Sequence, residues 1–512
     1  MTSWPDAVTF AHTWQRSVDR APSDPFLIFE GPEVDAHHHV HTWTYVEFDG
    51  VVARCGALLR EYGVGEGTAV SVALTNSPAF VAVWLATIRL GAWLVPSDPL
   101  ASVPELAAHL GRTQPVVGFC AIQRAATYRQ AATHAGLLTG LMTVIEVDES
   151  DAALSIFGDV EETRWPQLAL TQRAAVLFTS GTTGTPKGVE ITQANYAFAG
   201  ATMAAASSLE PHHRQLVVLP MFHANAQFYS VASAIWAGAS VALMHTFSPG
   251  GFLTQAARHR VTHASLFAAP IRMILSRGAT PIAGVALQHC WYAMNITHDQ
   301  HETLSSLLGC RPRQLYGMTE TLPAVLTEPA EDPVPDSMGC ETLGCCVDLQ
   351  DGEIVVGGEP GITLFAGYLD DPTTTAANFS NGWFQTGDRA HRGDDGRFWF
   401  EGRRSDVLKV AGENVSTVEV EQVISAFPGV LEVAVVGRPD ELRDEVPVAF
   451  VVASDPAAPP DIRAVHEWCR QRLTKGKRPR DITLVDQLPR TSVGKIRKFV
   501  LRDETSEGPL SV

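Results

Sequence analysis

The residues best equipped for chemistry lie in one run, Phe178-Thr179-Ser180-Gly181-Thr182-Thr183-Gly184-Thr185-Pro186-Lys187-Gly188-Val189. Its three glycines let the backbone turn back and expose N–H groups. Four threonines and a serine add hydroxyl donors, and Lys187 adds a mobile cation. Such a loop holds a polyphosphate while one of its bonds is exchanged. The Walker pattern G-x-x-x-x-G-K-[ST] is not met, because Gly188 follows Lys187. The apolar run 174–178 leads in and the strand-like 189–191 leads out. A flexible Ser/Gly/Thr linker would not join two buried strands in this way.

Further motifs follow in order. They are Tyr316-Gly317-Met318-Thr319-Glu320, then Gly382-Trp383-Phe384-Gln385-Thr386-Gly387-Asp388, then Gly402-Arg403 with Asp406. Lys409-Val410-Ala411-Gly412-Glu413-Asn414 comes next, and Pro489-Arg490-Thr491 through Gly494-Lys495 closes the set. Together with the phosphate loop, this series resembles the adenylate-forming superfamily of acyl-CoA synthetases, luciferases and peptide-synthetase adenylation domains. The likeness covers nearly the whole chain, and the order of so many separate motifs is specific. It implies a reaction in two halves. A carboxylate attacks the α-phosphate of ATP, giving an acyl-adenylate and pyrophosphate; a thiol, usually CoA, then displaces AMP. The first half brings negative charge beside negative charge, so it needs cations and donors held in place beforehand.

The resemblance assigns roles residue by residue. Thr179, Ser180, Gly181, Thr182, Thr183, Gly184 and Lys187 would cradle the phosphates of ATP. Tyr316 offers adenine a flat face, with Ala293, Gly317 and Met318 alongside. Thr319 would donate to a phosphate, and Glu320 is a hard oxygen ligand suited to Mg²⁺ on ATP. Asp388 would accept from the ribose hydroxyls with Arg403 in support, although T-G-D alone is a common turn. Lys495 is the expected catalytic cation, bridging the carboxylate and the α-phosphate. The C-terminal lobe would swing near residues 402–406, presenting Lys495 for adenylation and Lys409 with Gly412 to the CoA thiol.

Three departures from the family pattern stand out. Ser405 occupies the hinge position where Asp or Lys is usual. A hydroxyl is lost before the catalytic lysine, where Val493-Gly494-Lys495 stands. The family's Gly-Gly-Ala-Pro segment reads Trp291-Tyr292-Ala293-Met294-Asn295. Trp291 and Tyr292 are expected to fill volume that a long acyl chain would need. His223, Asn225 and Gln227, with Asn295 and Gly317, would then line a pocket for a short, polar or aromatic acid. His223 reads as pocket wall rather than as a base. Parts of this region, Phe222-His223-Ala224-Asn225-Ala226-Gln227 and Asn295, resemble carnitine/crotonobetaine-CoA ligases.

The expected function is therefore ATP-dependent adenylation of a small or aromatic acid and its transfer to CoA, in biosynthesis or acid catabolism. An alternative acceptor is a carrier-protein thiol or an amine, including diazotisation of an aryl amine by ATP-activated nitrite. A non-catalytic nucleotide-binding relative would have lost Lys495, Glu320 or Asp388, and all three are present.

The elements that must position these residues follow from patterning. Runs 69–73, 92–96, 216–219 and 240–244 read as buried strands, and 57–62, 78–90 and 228–237 as helices. This alternation predicts an α/β fold: a large N-terminal domain of stacked sheets over 1–401, with a small β subdomain at about 335–401. A small mobile α+β lobe at 402–512 follows, with helices at 418–426 and 460–473 and strands at 430–438 and 446–452. Over 512 residues, roughly 150 per domain gives about three domain-sized units.

Composition narrows the class. Hydrophobic residues make up 45% and charged residues 18%, which excludes a mostly disordered chain. A net charge of −18 excludes a broad nucleic-acid footprint. Eight cysteines show no disulfide or zinc spacing, and Cys345 adjoins Cys346, so a reduced cytoplasmic setting is expected. The N-terminal residues do not read as a signal peptide. The longest apolar stretch, 80–95, is broken by Arg89 and is too short to span a bilayer, so it reads as a buried helix. His37, His38, His39 and His41 lack a carboxylate or cysteine at ligand spacing and are assigned no function. The resemblance implies a monomer or homodimer.

Overall fold

The computed structural model describes residues 7–31, 40–138, 140, 142–160, 164–179, 186–403, 407–410, 413–440, 443–490, 496–498 and 500–502. The chain divides into two compact units: Met1–Val347 with Val356–Phe384, and Asp348–Val355 with Gln385–Val512.

Two sheets build the first unit. One has seven strands in the order Gly367–Tyr368, Lys187–Thr192, Arg173–Thr179, Trp93–Pro96, Ala69–Ala73, Val117–Ala121, Thr143–Val147. The five from Arg173–Thr179 onward are parallel, and Lys187–Thr192 pairs antiparallel with both Arg173–Thr179 and Gly367–Tyr368. Ala69–Ala73 and Val117–Ala121 are buried at every position. That explains their unbroken apolar sequence, since a parallel sheet is covered on both faces. The other sheet has nine strands in the order Cys340–Glu341, Leu326–Thr327, Arg313–Tyr316, His289–Ala293, His263–Phe267, Arg214–Val217, Ser240–Met244, Pro25–Glu30, Val40–Thr44. From Arg313–Tyr316 to Pro25–Glu30 the neighbours are parallel.

Helix Pro78–Arg89 is buried on all sides; Ser77 caps it and Pro78 opens it. The charge that interrupts its apolar run is accommodated there. Arg89, 4% exposed, donates to Asp49 at 2.5 Å and to Gln15 at 2.7 Å, and lies 4.0 Å over the Trp165 ring. Asp49 also accepts from the Trp14 indole at 2.7 Å. No helix among the described residues is long and apolar enough to cross a membrane.

The segment expected as one helix at 228–237 divides in two. Asn225–Ala232 is a π-helix, and Ser233–Ala237 continues it as an α-helix. Helix Gln193–Ala206, capped by Thr192, packs along both. A Cβ at Gly200 would stand 2.6 Å from the Ala232 carbonyl oxygen, so only glycine admits this approach.

The second unit carries an antiparallel sheet of Glu413–Ser416, Val407–Val410, Asp444–Ala453 and Val430–Asp440, with Asp481–Leu484 added in parallel. Helices Thr417–Ser425 and Ile462–Arg472 supply Val420, Ile424, Val465 and Cys469 to its core. Of the histidine run, His37, His38 and His39 lie outside the described residues, and His41 lies against Trp43 with centroids 4.0 Å apart.

Histidines line the amino ends of the parallel strands. His213, His263 and His289 succeed one another at centroid distances of 4.7 and 5.6 Å. His289 meets Trp291 at 4.2 Å, and the Arg313 guanidinium lies 4.6 Å over that indole. Burial pushes His263 down to about 4. Burial, then the nearby Arg313 cation, pushes His289 well below the imidazole range.

Two outcomes are expected. Asp49→Ala strands a buried guanidinium and should cost about 3–5 kcal/mol in urea unfolding; a loss under 1 kcal/mol would show that Gln15 and Trp165 suffice. An unfolded imidazole takes its proton near pH 6.5, whereas the folded ladder refuses it. Stability is therefore complete above pH 6.5 and falls as pH drops towards 4, by about 3 kcal/mol for His263 alone. His263→Gln should flatten the decline of the urea midpoint between pH 7 and 4.5; a parallel decline would place the acid sensitivity elsewhere.

Candidate active site

Ligands of parallel α/β sheets gather beyond the carboxyl ends of the strands. Three parallel strands of the nine-stranded sheet deliver the expected residues there, Arg214–Val217 being separated from the other two by His263–Phe267. Arg214–Val217 leads to His223 and Asn225, His289–Ala293 to Ala293 and Asn295, and Arg313–Tyr316 to Tyr316 and Glu320. In the seven-stranded sheet Arg173–Thr179 pairs antiparallel with Lys187–Thr192, Thr179 opposite Lys187, so the strands on either side of the phosphate loop pair directly.

The first cluster is charged. Glu320 is 5% exposed in the short turn Thr319–Thr321, and its Oε1 accepts from the Tyr368 hydroxyl at 3.0 Å. The Lys187 ammonium lies 4.8 Å over the Tyr368 ring. Burial, then the Glu320 carboxylate, pushes the Tyr368 phenol upward, so it stays protonated and donates. Tyr368 was not foreseen from the sequence. It reaches Lys187 because Gly367–Tyr368 pairs with Val189 and Glu190 at the sheet edge, a pairing without a local signal. Tyr316, Met318 and Thr319 are half-buried beside it.

Close packing fixes this loop. A Cβ on Gly317 would stand 2.9 Å from the Pro323 carbonyl oxygen and 3.0 Å from the Tyr229 hydroxyl. Leu322, fully buried, has φ 71° and ψ −82°, and Met294 also has φ 71°. Each positive φ at a non-glycine residue stores about 1–3 kcal/mol, a cost typical of functional loops.

The second cluster is neutral and polar. His223 Nε2 and both amide atoms of Asn225 are buried without a hydrogen-bond partner among the described residues. Burial pushes His223 down to about 3, so its ring is uncharged at neutral pH. Gln227, expected alongside them, is instead structural: its amide accepts from the Tyr196 hydroxyl at 2.5 Å and donates to the Met221 carbonyl at 2.7 Å. Asn295 Oδ1 is held by the Gln314 amide at 2.9 Å.

Trp291 and Tyr292, both expected to fill the volume that a long acyl chain would need, do not fill one space together. They are consecutive on the strand His289–Ala293, so their side chains leave opposite faces. Trp291 packs between His289 and Arg313, whereas the Tyr292 hydroxyl donates to the Pro335 carbonyl at 2.7 Å.

The strand Trp383–Arg392 pairs antiparallel with Phe398–Arg403, Asp388 opposite Arg403. Asp388 is 3% exposed and lies 2.8 Å from Arg403 Nε. Gly387 turns before it at φ 74°, its N–H donating to Glu353 at 2.9 Å. Lys409 is exposed, its backbone N–H donating to Glu445 at 2.9 Å. Ser180, Gly181, Thr182, Thr183, Gly184, Ser405, Gly412 and Lys495 lie outside the described residues.

Comparison with known proteins places these clusters in context. A family model described as AMP-binding enzyme matches residues 14–369, and one described as AMP-binding enzyme C-terminal domain matches 419–495. A crotonobetaine/carnitine–CoA ligase of Citrobacter koseri is 30% identical over 500 residues, covering 93% of this chain and 95% of its own. An anthranilate CoA ligase solved with anthranoyl-AMP shares the fold with TM-score 0.88 at 22% identity, covering 98% of each chain. A benzoate CoA ligase of Burkholderia xenovorans shares it with TM-score 0.85 at 22% identity, over 97% of this chain and 100% of its own.

Tyr368→Phe removes the donor to a buried carboxylate and should lower stability by about 1–3 kcal/mol in urea unfolding. An unchanged midpoint would mean that the other interactions of Glu320 carry its burial.

Proposed function

The chain belongs to the AMP-binding enzyme family, ligases that activate an acid with ATP as an acyl-adenylate and pass it to CoA, and on that premise we propose that its own acid is small and aromatic or polar. The observation that carries this reading is the presence, in one unit, of the Lys187–Tyr368–Glu320 cluster and a neutral polar cluster beyond the carboxyl ends of one sheet, linked by Tyr229, whose hydroxyl closes on Gly317. The first suits phosphates and the second a small acid. Tyr229, Pro323 and Ala324 occupy the space beside Gly317, which favours a short acid. Relatives named for crotonobetaine, carnitine, anthranilate and benzoate all act on acids of that size.

In this reading Lys187 and the loop hydroxyls bind the triphosphate, and Thr319 adds a donor. Tyr316, with Ala293, Gly317 and Met318, holds adenine. Asp388 accepts from the ribose, oriented by Arg403. Glu320 fits Mg²⁺, because it is a hard carboxylate steadied by the Tyr368 hydroxyl. No group of three acidic, histidine or cysteine ligands occurs among the described residues, and Mg²⁺ on ATP commonly uses one or two carboxylates plus the phosphates. Mg²⁺ would supply charge neutralisation at the phosphates. Lys495 stabilises the charge that develops as the carboxylate attacks, and the lobe hinged near residues 402–406 brings Lys409 and Gly412 to the CoA thiol.

The test measures pyrophosphate and AMP release with ATP, Mg²⁺ and a panel of acids, each with and without CoA. CoA-dependent AMP release with a small acid is expected. Turnover that ignores CoA, or that appears only with nitrite and an aryl amine, would replace the thiol reading. Lys495→Ala should slow adenylation by about 10²–10³-fold, as loss of one transition-state donor does. Thioester formation from supplied acyl-adenylate should persist; equal loss in both halves would contradict the role of Lys495.

A further inference from the structure

Among the described residues of the first unit, most buried amides are bonded: Gln314 lacks a partner only at Oε1, its Nε2 donating to Asn295, and Asn225 lacks one at both atoms. Asn76 donates to the Leu219 and Met244 carbonyls at 3.0 and 3.1 Å and accepts from the Met221 N–H at 2.7 Å. Asn195 accepts from Thr192 and donates to the Ile362 and Leu364 carbonyls. Gln227 is bonded at both ends. Asn225, 5% exposed, has neither its amide oxygen nor its amide nitrogen bonded among the described residues. An unmet buried polar atom costs about 1–3 kcal/mol, so an idle amide in this place would be selected against unless something else meets it.

Its position says what that is. Asn225 opens the π-helix Asn225–Ala232, one turn before Tyr229 on the same face, and the Tyr229 hydroxyl closes on Gly317. π-Helical turns of this kind recur at functional sites, where they redirect side chains. Two residues upstream, His223 Nε2 is also buried and unbonded. An amide and an uncharged imidazole offer donors and acceptors but no net charge.

We propose that the activated acid carries a neutral hydrogen-bonding substituent, a hydroxyl, aryl amine or amide, and that Asn225 is the residue that selects it. The proposal rests on the acid–CoA ligase reading. The amide Nδ2 donates to an oxygen of that substituent, or Oδ1 accepts from its O–H or N–H. His223 bounds the same space. An unsubstituted acid leaves the amide unpaired and is penalised for it, and this is how polar pockets discriminate far more sharply than apolar ones.

The test compares kcat/KM for matched pairs: benzoate against its hydroxy and amino derivatives, and butyrate against 3-hydroxybutyrate, with CoA-dependent AMP release as the readout. The native enzyme should favour the better substituted acid at least 10-fold. In Asn225→Leu that ratio should fall at least 10-fold, and Asn225→Ala should lower it in the same direction. A ratio taken within one variant does not depend on how much of it folds. A native enzyme that prefers the unsubstituted acid would overturn the proposal, as would variants whose ratio is unmoved. Failure of every acid to give CoA-dependent AMP release would instead overturn the ligase reading, and this proposal with it.

Discussion

One hydrogen bond ties the first unit together: the Tyr368 hydroxyl on the buried Glu320 carboxylate, with the Lys187 ammonium over the same ring. It joins three stretches far apart in sequence. The surrounding backbone is arranged to hold it. The Phe365 N–H donates to the Glu320 carbonyl at 3.0 Å, Ala366 to Glu190 at 2.9 Å and Leu369 to Gly188 at 2.8 Å. Residues 365–369 thus run from the turn that follows one sheet to the exit strand of the phosphate loop in the other. An isolated buried carboxylate would be costly; a protonated phenol and a nearby cation make this one tolerable, and leave it placed for chemistry that concentrates negative charge.

The rest of the unit keeps that arrangement rigid from behind. Arg89, Asp49, Trp14 and Gln15 lock a wholly buried helix by charge and hydrogen bonds, which apolar contact alone would not orient. The histidine ladder fills the amino ends of the strands with flat, uncharged rings. The ladder is not free of unmet atoms, for His289 Nε2 has no hydrogen-bond partner among the described residues. Near the carboxyl ends of the strands, unpaired polar atoms at His223 and Asn225 coincide with positive φ angles at Met294 and Leu322. Strain and unmet polar atoms in one place are tolerated where a ligand can compensate for them.

Much of this was legible in the sequence, for physical reasons that differ by residue. Ala69–Ala73 and Ser240–Met244 have the predicted bounds, because a strand covered on both faces must be apolar throughout. Pro78–Arg89 was readable, to within one residue of the expected 78–90, from its apolar run. The π-helix was not, since an i→i+5 ladder has no compositional mark distinct from an α-helix. Gln227 looked available because nothing local shows that Tyr196, on another helix, claims its amide. Trp291 and Tyr292 were treated as one bulky block, although the two-residue period of a strand sends them apart. Tyr368 depended on edge pairing with residues about 180 positions earlier, which no local pattern encodes.

These errors share a cause that bears on how the site works. Residue type identifies chemistry that stays the same wherever the chain carries it, such as a lysine after a glycine-rich turn or a carboxylate after Gly-Met-Thr. Whether a polar group is free to meet a ligand is decided by its neighbours in space. Gln227 and Asn225 are two positions apart and nearly identical in chemistry, yet one amide is consumed by the fold and the other is left over. The distinction arises from the helix that carries them. Gln227 meets Tyr196 on the packed face against helix Gln193–Ala206, while Asn225 opens the helix at the strand ends. Under the proposed function, the phosphate side of the site would be common to many relatives, whereas the acid side would be set by which few polar groups the packing leaves unpaired.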